Sequence, residues 1–384
     1  MVAFDADLAA AGGILKVIDL FAGCGGLSQG FRQSGHFEPV AAVEKDLQAA
    51  ATYAANFGAE HVHHGDIADW LDGPIPDADV VVGGPPCQGF SNLGAKREDD
   101  ERNELWNRYV ETLTRVEPKV FLLENVDRFR KSRQFEAFLS ELEPGGRLEN
   151  YRVAFDVLKA TDYGAPQLRR RVIVIGTRKD IPKLELPEPT VSENDWMRVK
   201  EALSGIDEMI PPERIDLPAS REFKVFGVSV PGPYAADELH VTRNYSDLSK
   251  ERFSWIPRGG NRFDLPEELK APCWKKHSTG AGDVMGRLRW EGPSVTIRTE
   301  FFKPEKGRYL HPTEDRAISH HEAARLQGFP DYFQWCGSKT EIARQIGNAV
   351  PVQLAESLAV HIHSHLRATG NLTEPSPEID FVED

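Results

Sequence analysis

The chain has 384 residues, 40% of them hydrophobic and 28% charged, and a formal net charge of −14. It is long enough for one large or two moderate cores. It holds no apolar run of the ~18 residues that a membrane helix needs, and residues 1–13 lack the basic flank and apolar core of a signal peptide, so a cytoplasmic protein without a membrane partner is expected.

In chain order, residues 14–21 read as a buried strand leading straight into Asp19-Leu-Phe-Ala-Gly-Cys-Gly-Gly26. Glycines there permit a tight turn and close approach of the backbone to a ligand. A dinucleotide fingerprint would need glycine at position 28, where the chain has Ser28, so pyrophosphate binding is disfavoured. A second strand over 37–44 ends in Glu44, placed to accept hydrogen bonds from ribose hydroxyls, and the spacing predicts a helix over 46–57. Loop and acid together fit a nucleoside-containing cofactor but do not choose one.

A strand over 79–83 precedes Gly83-Gly-Pro-Pro-Cys-Gln-Gly-Phe-Ser91. A lone cysteine after a strand is usually structural, but two prolines before Cys87 and glycines around it suit a held, exposed thiol. The other cysteines, Cys24, Cys273 and Cys336, form no CxxC pair with it or with each other. A zinc centre or disulfide framework is therefore disfavoured, and no metal is expected. A helix over 103–116 leads to a strand over 119–124, where Leu122-Leu-Glu-Asn-Val126 sets Glu124 at the strand mouth. If both strands are central, Cys87 and Glu124 face one rim. A helix over 128–142 follows, then a strand over 171–176 preceded by Gln167-Leu-Arg-Arg-Arg171, in which Arg169 and Arg171 share a face.

Strands alternating with helices predict an α/β fold with a mostly parallel, Rossmann-like sheet and ligands at the strands' carboxyl ends. From about 180 to 301 the chain is rich in Pro, Gly, Trp and Arg without a clear period, which reads as a separate, irregular small domain. Helix returns at 319–326 and 352–366. Charge is uneven: residues 250–308 carry 13 Lys+Arg against 8 Asp+Glu, whereas 370–384 hold five acids and no base. The overall acidity argues against tight non-specific binding to a polyanion.

Six segments, in linear order over nearly the whole chain, resemble the motifs of the DNA (cytosine-5) methyltransferase family. They are Asp19 to Gly26, Pro85-Pro-Cys87, Glu124-Asn-Val126, Gln167-x-Arg169-x-Arg171, Arg325-Leu-Gln-Gly-Phe-Pro330 and Gln345-Ile-Gly-Asn-Ala-Val-Pro351. The resemblance implies an S-adenosylmethionine-dependent methyltransferase domain over 14–182 plus 337–370. It also implies a target-recognition domain and hinge over 183–336 and disordered tails at 1–13 and 371–384. Phe21, Gly23, Gly25, Gly26, Leu27, Glu44, Asp66, Ile67, Pro85, Leu105, Asn348 and Ala349 would form the cofactor pocket. Cys87, Glu124, Arg169 and Arg171 would be catalytic, with Arg171 at the cytosine carbonyl and Arg169 near the nucleophile and a phosphate. Gln88, Ser91 and Arg97, in a mobile loop over 88–102, would contact double-stranded DNA, as would Arg258 and Arg262, with Trp274-Lys-Lys-His277 a further candidate. The family often has a bulky aromatic after the ribose acid; Lys45 stands there, which removes the adenine-stacking group.

The chemistry explains the pairing. Thiolate attack on C6 turns C5 into an enamine carbon able to accept a sulfonium methyl, and an acid at N3 stabilises the intermediate. A cognate restriction endonuclease is an expected partner, one chain suffices for catalysis, and a bacterial or archaeal cytoplasm is the expected setting. Two rivals stand: a tRNA cytosine methyltransferase built on the same motifs, which the long Arg- and Gly-rich stretch before Arg325 disfavours, and a catalytically silent DNA-binding paralogue.

Overall fold

The computed structural model describes residues 13–86, 105–211, 213–218, 221–276, 280 and 282–372. Cys87, Gln88, Ser91, Arg97 and His277, and most of both expected tails, lie outside the described residues.

The first half alternates as expected: β1 (Leu15–Leu20), α1 (Gly26–Gln33), β2 (Phe37–Glu44), α2 (Leu47–Phe57), β3 (Val62–His64), α3 (Ile67–Leu71), β4 (Val80–Gly83), α4 (Leu105–Val116), β5 (Val120–Val126), α5 (Arg133–Ser140), β6 (Tyr151–Lys159), β7 (Gln167–Leu168) and β8 (Arg170–Arg178). Seven strands form one sheet in the order β3-β2-β1-β4-β5-β8-β6. The first five run parallel, and β8 runs antiparallel between β5 and β6. The central strands are continuous apolar runs because helices cover both faces: Val80 to Val82, Val120 to Leu123 and Val172 to Ile175 are all buried. One core joins Val17, Phe31, Val82 and Ile173 to residues near the end of the chain. The opposite one gathers Ile18, Leu20, Val43, Tyr109, Phe121 and Phe138.

Helix boundaries follow local chemistry. Asp46 caps α2 by accepting from Ala49 N at 3.1 Å. The helix expected over 128–142 is shorter: Ser132 accepts from Phe135 N at 3.1 Å and starts α5 at Arg133, and Asp127–Lys131 forms a tighter 3-10 turn instead.

The second half is irregular: α6 (Val199–Ala202), the hairpin β9 (Glu222–Val225) and β10 (Val228–Pro231), α7 (Asp247–Trp255), α8 (Pro272–Lys275) and β11 (Ser294–Val295). Then come α9 (His320–Leu326), α10 (Lys339–Asn348) and α11 (Val352–Ala368). Strand β11 pairs in parallel with β7, tying the irregular region to the segment just before β8. A third core mixes Tyr234, Ile297, Tyr309, Phe329 and Trp335 with Ile342 and Ile346 of α10, so the boundary expected between 336 and 337 runs through packed side chains. Among the described residues no helix is long and apolar enough to cross a membrane.

Helix α11 returns to lie on α1. A Cβ on Gly30 would stand 2.4 Å from Ala355 Cβ, 2.5 Å from Glu356 N and 2.6 Å from Val352 O. Gly30→Ala would gain about 1 kcal/mol of helix propensity in open space, but here it must push two helix backbones apart. We expect net destabilisation of about 2–3 kcal/mol, measured by urea unfolding; an unchanged or raised midpoint contradicts this packing.

Candidate active site

Parallel strands deliver their carboxyl ends to one rim. In order across the sheet these carry Gly65-Asp66, Glu44, Phe21 to Gly23, Gly84 to Pro86, and Glu124 to Val126. Because β8 is antiparallel, its amino end reaches the same rim, with Arg171 opposite Val126. The sheet topology therefore gathers residues that lie far apart in the chain.

The glycine loop is packed shut on one side and open on the other. Cβ atoms on Gly25 and Gly26 would collide with Phe57 at 2.5 Å and Val350 O at 2.8 Å, whereas one on Gly23 (φ 57°) would meet nothing within 4 Å. Glu44 faces the opening. Its Oε2 accepts from Gly23 N at 2.8 Å and its Oε1 from Asp46 N at 2.7 Å. Burial raises the Glu44 carboxyl, and the donated N–H groups of Asp46 and Gly23 oppose the rise. Beneath the loop, Asp19 accepts from Ser28 Oγ at 2.7 Å, while its Oδ1 is buried without a partner. Burial pushes Asp19 up to about 7, against the Ser28 hydrogen bond.

Of the other expected pocket residues, Phe21 (φ 57°) is half-buried and Leu105 opens α4. Asn348 is exposed at the end of α10, and Ala349 is buried beside Gly26, its Cβ 3.2 Å from where a Gly26 Cβ would stand. Leu27 and Ile67 are buried in the two cores flanking the sheet. Asp66 caps α3, accepting from Ala68 N at 3.0 Å, and pairs with Lys45 at 2.8 Å. The Lys45 ammonium holds the Asp66 carboxyl below the usual range. The acids of this cradle, with Lys45 paired to Asp66, suit a cationic nucleoside.

At the centre of the rim, Glu124 accepts from Arg171 Nε at 2.7 Å, with side chains 12% and 14% exposed. Asn125 Nδ2 donates to Pro85 O at 2.8 Å, fixing the chain just before Cys87 against β5. A Cβ on Gly84 would stand 2.8 Å from Glu124 Oε2, so only glycine lets the carboxylate sit there. Arg171 and Glu124 are thus brought together, and the described chain reaches Pro86 beside them.

Arg169 is placed differently from the expected phosphate contact. It is 1% exposed, and its guanidinium donates to Ile297 O at 2.9 Å, Gly347 O at 3.0 Å and Asn348 O at 3.4 Å. The alternation along Arg169, Arg170 and Arg171 holds, but the inward face at position 169 is protein interior. Burial, with Arg171 nearby, lowers the Arg169 guanidinium well below its ordinary value.

In the irregular region Arg258 is exposed, but Arg262 is 5% exposed, with its guanidinium 4.4 Å from the Phe263 ring, so it is not presented to solvent as expected. Arg258 lines a cavity of about 150 Å³ with Arg289, Trp290 and Glu291. Neighbouring arginines are consumed by backbone: Arg287 donates to Ile256 O, Phe253 O and His311 O, and Arg308 to Gly259 O and Gly260 O. Arg289 and Trp290 escaped sequence reasoning because the Arg287-Leu-Arg-Trp290 run does not reveal which arginine is buried.

Comparison with known proteins gives the family. The family model described as C-5 cytosine-specific DNA methylase matches residues 15–364. The type II methyltransferase M1.HphI of Haemophilus parahaemolyticus is 34% identical over 90% of this chain and 86% of its own. M.DdeI of Desulfomicrobium norvegicum is 31% identical over 91% and 88%. Among solved structures, a prophage-encoded chain described as a DNA modification methyltransferase (E. coli) superposes with a TM-score of 0.68 at 27% identity, covering 92% of this chain and 99% of the other. The Dnmt2 methyltransferase of S. pombe shares the fold, with a TM-score of 0.57 at 17% identity over 92% and 99%. The chain belongs to the C-5 cytosine-specific DNA methylase family and is a DNA (cytosine-5-)-methyltransferase.

Proposed function

We propose that the enzyme transfers a methyl group from S-adenosylmethionine to C5 of a cytosine flipped out of a specific duplex sequence, through a covalent bond between Cys87 and C6. The observation that carries the reading is the Glu124–Arg171 pair on the rim that also holds the glycine loop and Glu44. When bound, the cofactor supplies an electrophilic methyl. Phe21, Gly23, Gly25, Gly26, Leu27, Glu44, Asp66, Ile67, Pro85, Leu105, Asn348 and Ala349 form the pocket that holds it, some by side chain and others by backbone or packing.

The target base leaves the stack at a cost of a few kcal/mol, offset by contacts in the pocket. The Cys87 thiolate adds to C6, and N3 takes a proton from Glu124 as the ring loses aromaticity. Arg171 holds the carboxyl and the cytosine carbonyl in register. After C5 gains the methyl, a base such as water removes the C5 proton, the C6–S bond breaks to restore the thiolate, and N3 returns its proton to Glu124. Arg258, on the outer cleft with Arg289 and Trp290, suits contact with DNA, as do Gln88, Ser91 and Arg97. The recognition unit spans 183–336 and the catalytic unit 14–182 plus 337–370. One chain carries every part, acts in the cytoplasm, and is partnered by a restriction endonuclease of the same sequence specificity.

The test is labelled methyl transfer to duplex DNA and to tRNA, followed by bisulfite sequencing of DNA from cells expressing the protein. Label in duplex DNA at one cytosine of one motif supports the reading. Label only in tRNA reverses the substrate, and wild type that forms no covalent adduct with 5-fluorocytosine DNA supports a silent DNA-binding protein instead. A second result is expected at Gly84. Gly84→Ala displaces the Glu124 carboxylate and lowers kcat about 100-fold, with cofactor affinity changed less than about threefold. A normal kcat would separate Glu124's position from the chemistry.

A further inference from the structure

Three buried polar side chains meet where the catalytic sheet, the recognition region and the end of α10 converge. Gln167 Nε2 donates to Leu326 O at 2.8 Å and to Gln327 Oε1, and Gln167 Oε1 accepts from Ile297 N at 3.2 Å. Gln327 Nε2 donates to Ile346 O and to Ala349 O at 3.2 Å. Arg169 joins Ile297 O to Gly347 O and Asn348 O. Carbonyls 346 to 349 are those that α10 leaves without helical partners, and its negative terminus faces the guanidinium. The two side chains therefore close the end of the helix that carries Asn348.

The same arginine holds the strip that comes from the outer cleft. Seven residues beyond Trp290, Ile297 continues from β11, whose Ser294 N donates to Pro166 O at 2.8 Å. The strip lies directly on α10: a Cβ on Gly347 would stand 2.3 Å from Thr299 N and 2.5 Å from Arg298 C. With backbone against backbone and one guanidinium spanning both, the strip cannot shift without carrying the end of α10. That end packs on the glycine loop, where a Gly26 Cβ would meet Val350 O at 2.8 Å.

We propose that Arg169 is a positioning residue and not a DNA contact: with Gln167 and Gln327 it forms a buried latch that couples duplex binding to cofactor binding. The proposal rests on the function proposed above. A duplex that seats the 290–298 strip also sets Asn348 and Ala349 against the cofactor, and by reciprocity a bound cofactor sets the strip for DNA.

The test uses full-length protein, S-adenosylhomocysteine as the cofactor probe and a duplex carrying the motif found by bisulfite sequencing. Calorimetric Kd values for each ligand are measured with and without the other. Wild type is expected to bind S-adenosylhomocysteine about tenfold tighter with the duplex present. In Arg169→Met and Gln327→Leu that ratio is expected to fall to about twofold or less, with affinity for S-adenosylhomocysteine alone within about fivefold of wild type. Arg169→Lys, which keeps a donor, should recover part of the ratio. The log–log salt dependence of DNA affinity should not change in Arg169→Met, whereas a slope lower by about one would make Arg169 a phosphate contact and overturn the proposal. Full coupling in a folded variant overturns it too; if Arg169→Met does not fold, Gln327→Leu decides alone. Wild type that binds both ligands without coupling overturns the latch only, and wild type that binds neither overturns the functional reading with it.

Discussion

Cys87→Ser is expected to lower kcat by about 10⁴-fold or more, because a serine hydroxyl at neutral pH offers almost none of the anion that must add to C6. The loss corresponds to roughly 5.5 kcal/mol of transition-state stabilisation. Affinity for S-adenosylmethionine should stay near that of wild type, since in the proposed mechanism the sulfur bonds to the base and makes no ground-state contact with the cofactor. The clean measurement pairs single-turnover methylation with trapping on 5-fluorocytosine DNA, where wild type gives a stable adduct and the variant none. Residual methylation above about one-hundredth of wild type would remove Cys87 from the mechanism.

Glu124→Gln is expected to lower kcat by about 10²–10⁴-fold. The glutamine carbonyl can still accept from Arg171 Nε, as Glu124 Oε1 does at 2.7 Å, so the side chain keeps its place. The amide can donate a hydrogen bond to N3 but cannot give up a proton there. It also removes the negative charge opposite a largely buried guanidinium, so unfolding must be measured beside kinetics to separate chemistry from folding. If the folded variant keeps more than about a tenth of wild-type kcat, the proton at N3 comes from elsewhere.

How far the sequence revealed this enzyme depended on how locally each feature is determined. Strands β1, β2, β4, β5 and β8 were legible because both faces are buried and their residues form short apolar runs. Strand β6 escaped because it is an edge strand, with buried Tyr151 and Ala154 set among half-exposed residues. Helix α10 escaped because it is short and its large apolar residues are Ile342 and Ile346 alone, although Ser338 and Glu341 form a capping box at its start. The Glu124–Arg171 pairing was not legible, because Arg171 reaches that rim only through the antiparallel run of β8. Nor was the interior position of Arg169, because its partners lie 128 and 178 residues away and are backbone carbonyls, which have no signature in sequence. The same holds for Arg262, whose run Arg258-Gly-Gly-Asn-Arg262 has the composition of an open loop while the fold turns its last arginine inward.

The return of α11 onto α1 has a bearing on the life of the newly made polypeptide. Gly26 and Glu44 leave the ribosome some three hundred residues before Ala349 and Val350, a delay of tens of seconds at ordinary translation speed. Through that interval one wall of the pocket does not exist, and the apolar surface of α1 waits for a helix not yet synthesised. A chain truncated anywhere before α11 is therefore expected to leave that surface uncovered and to aggregate.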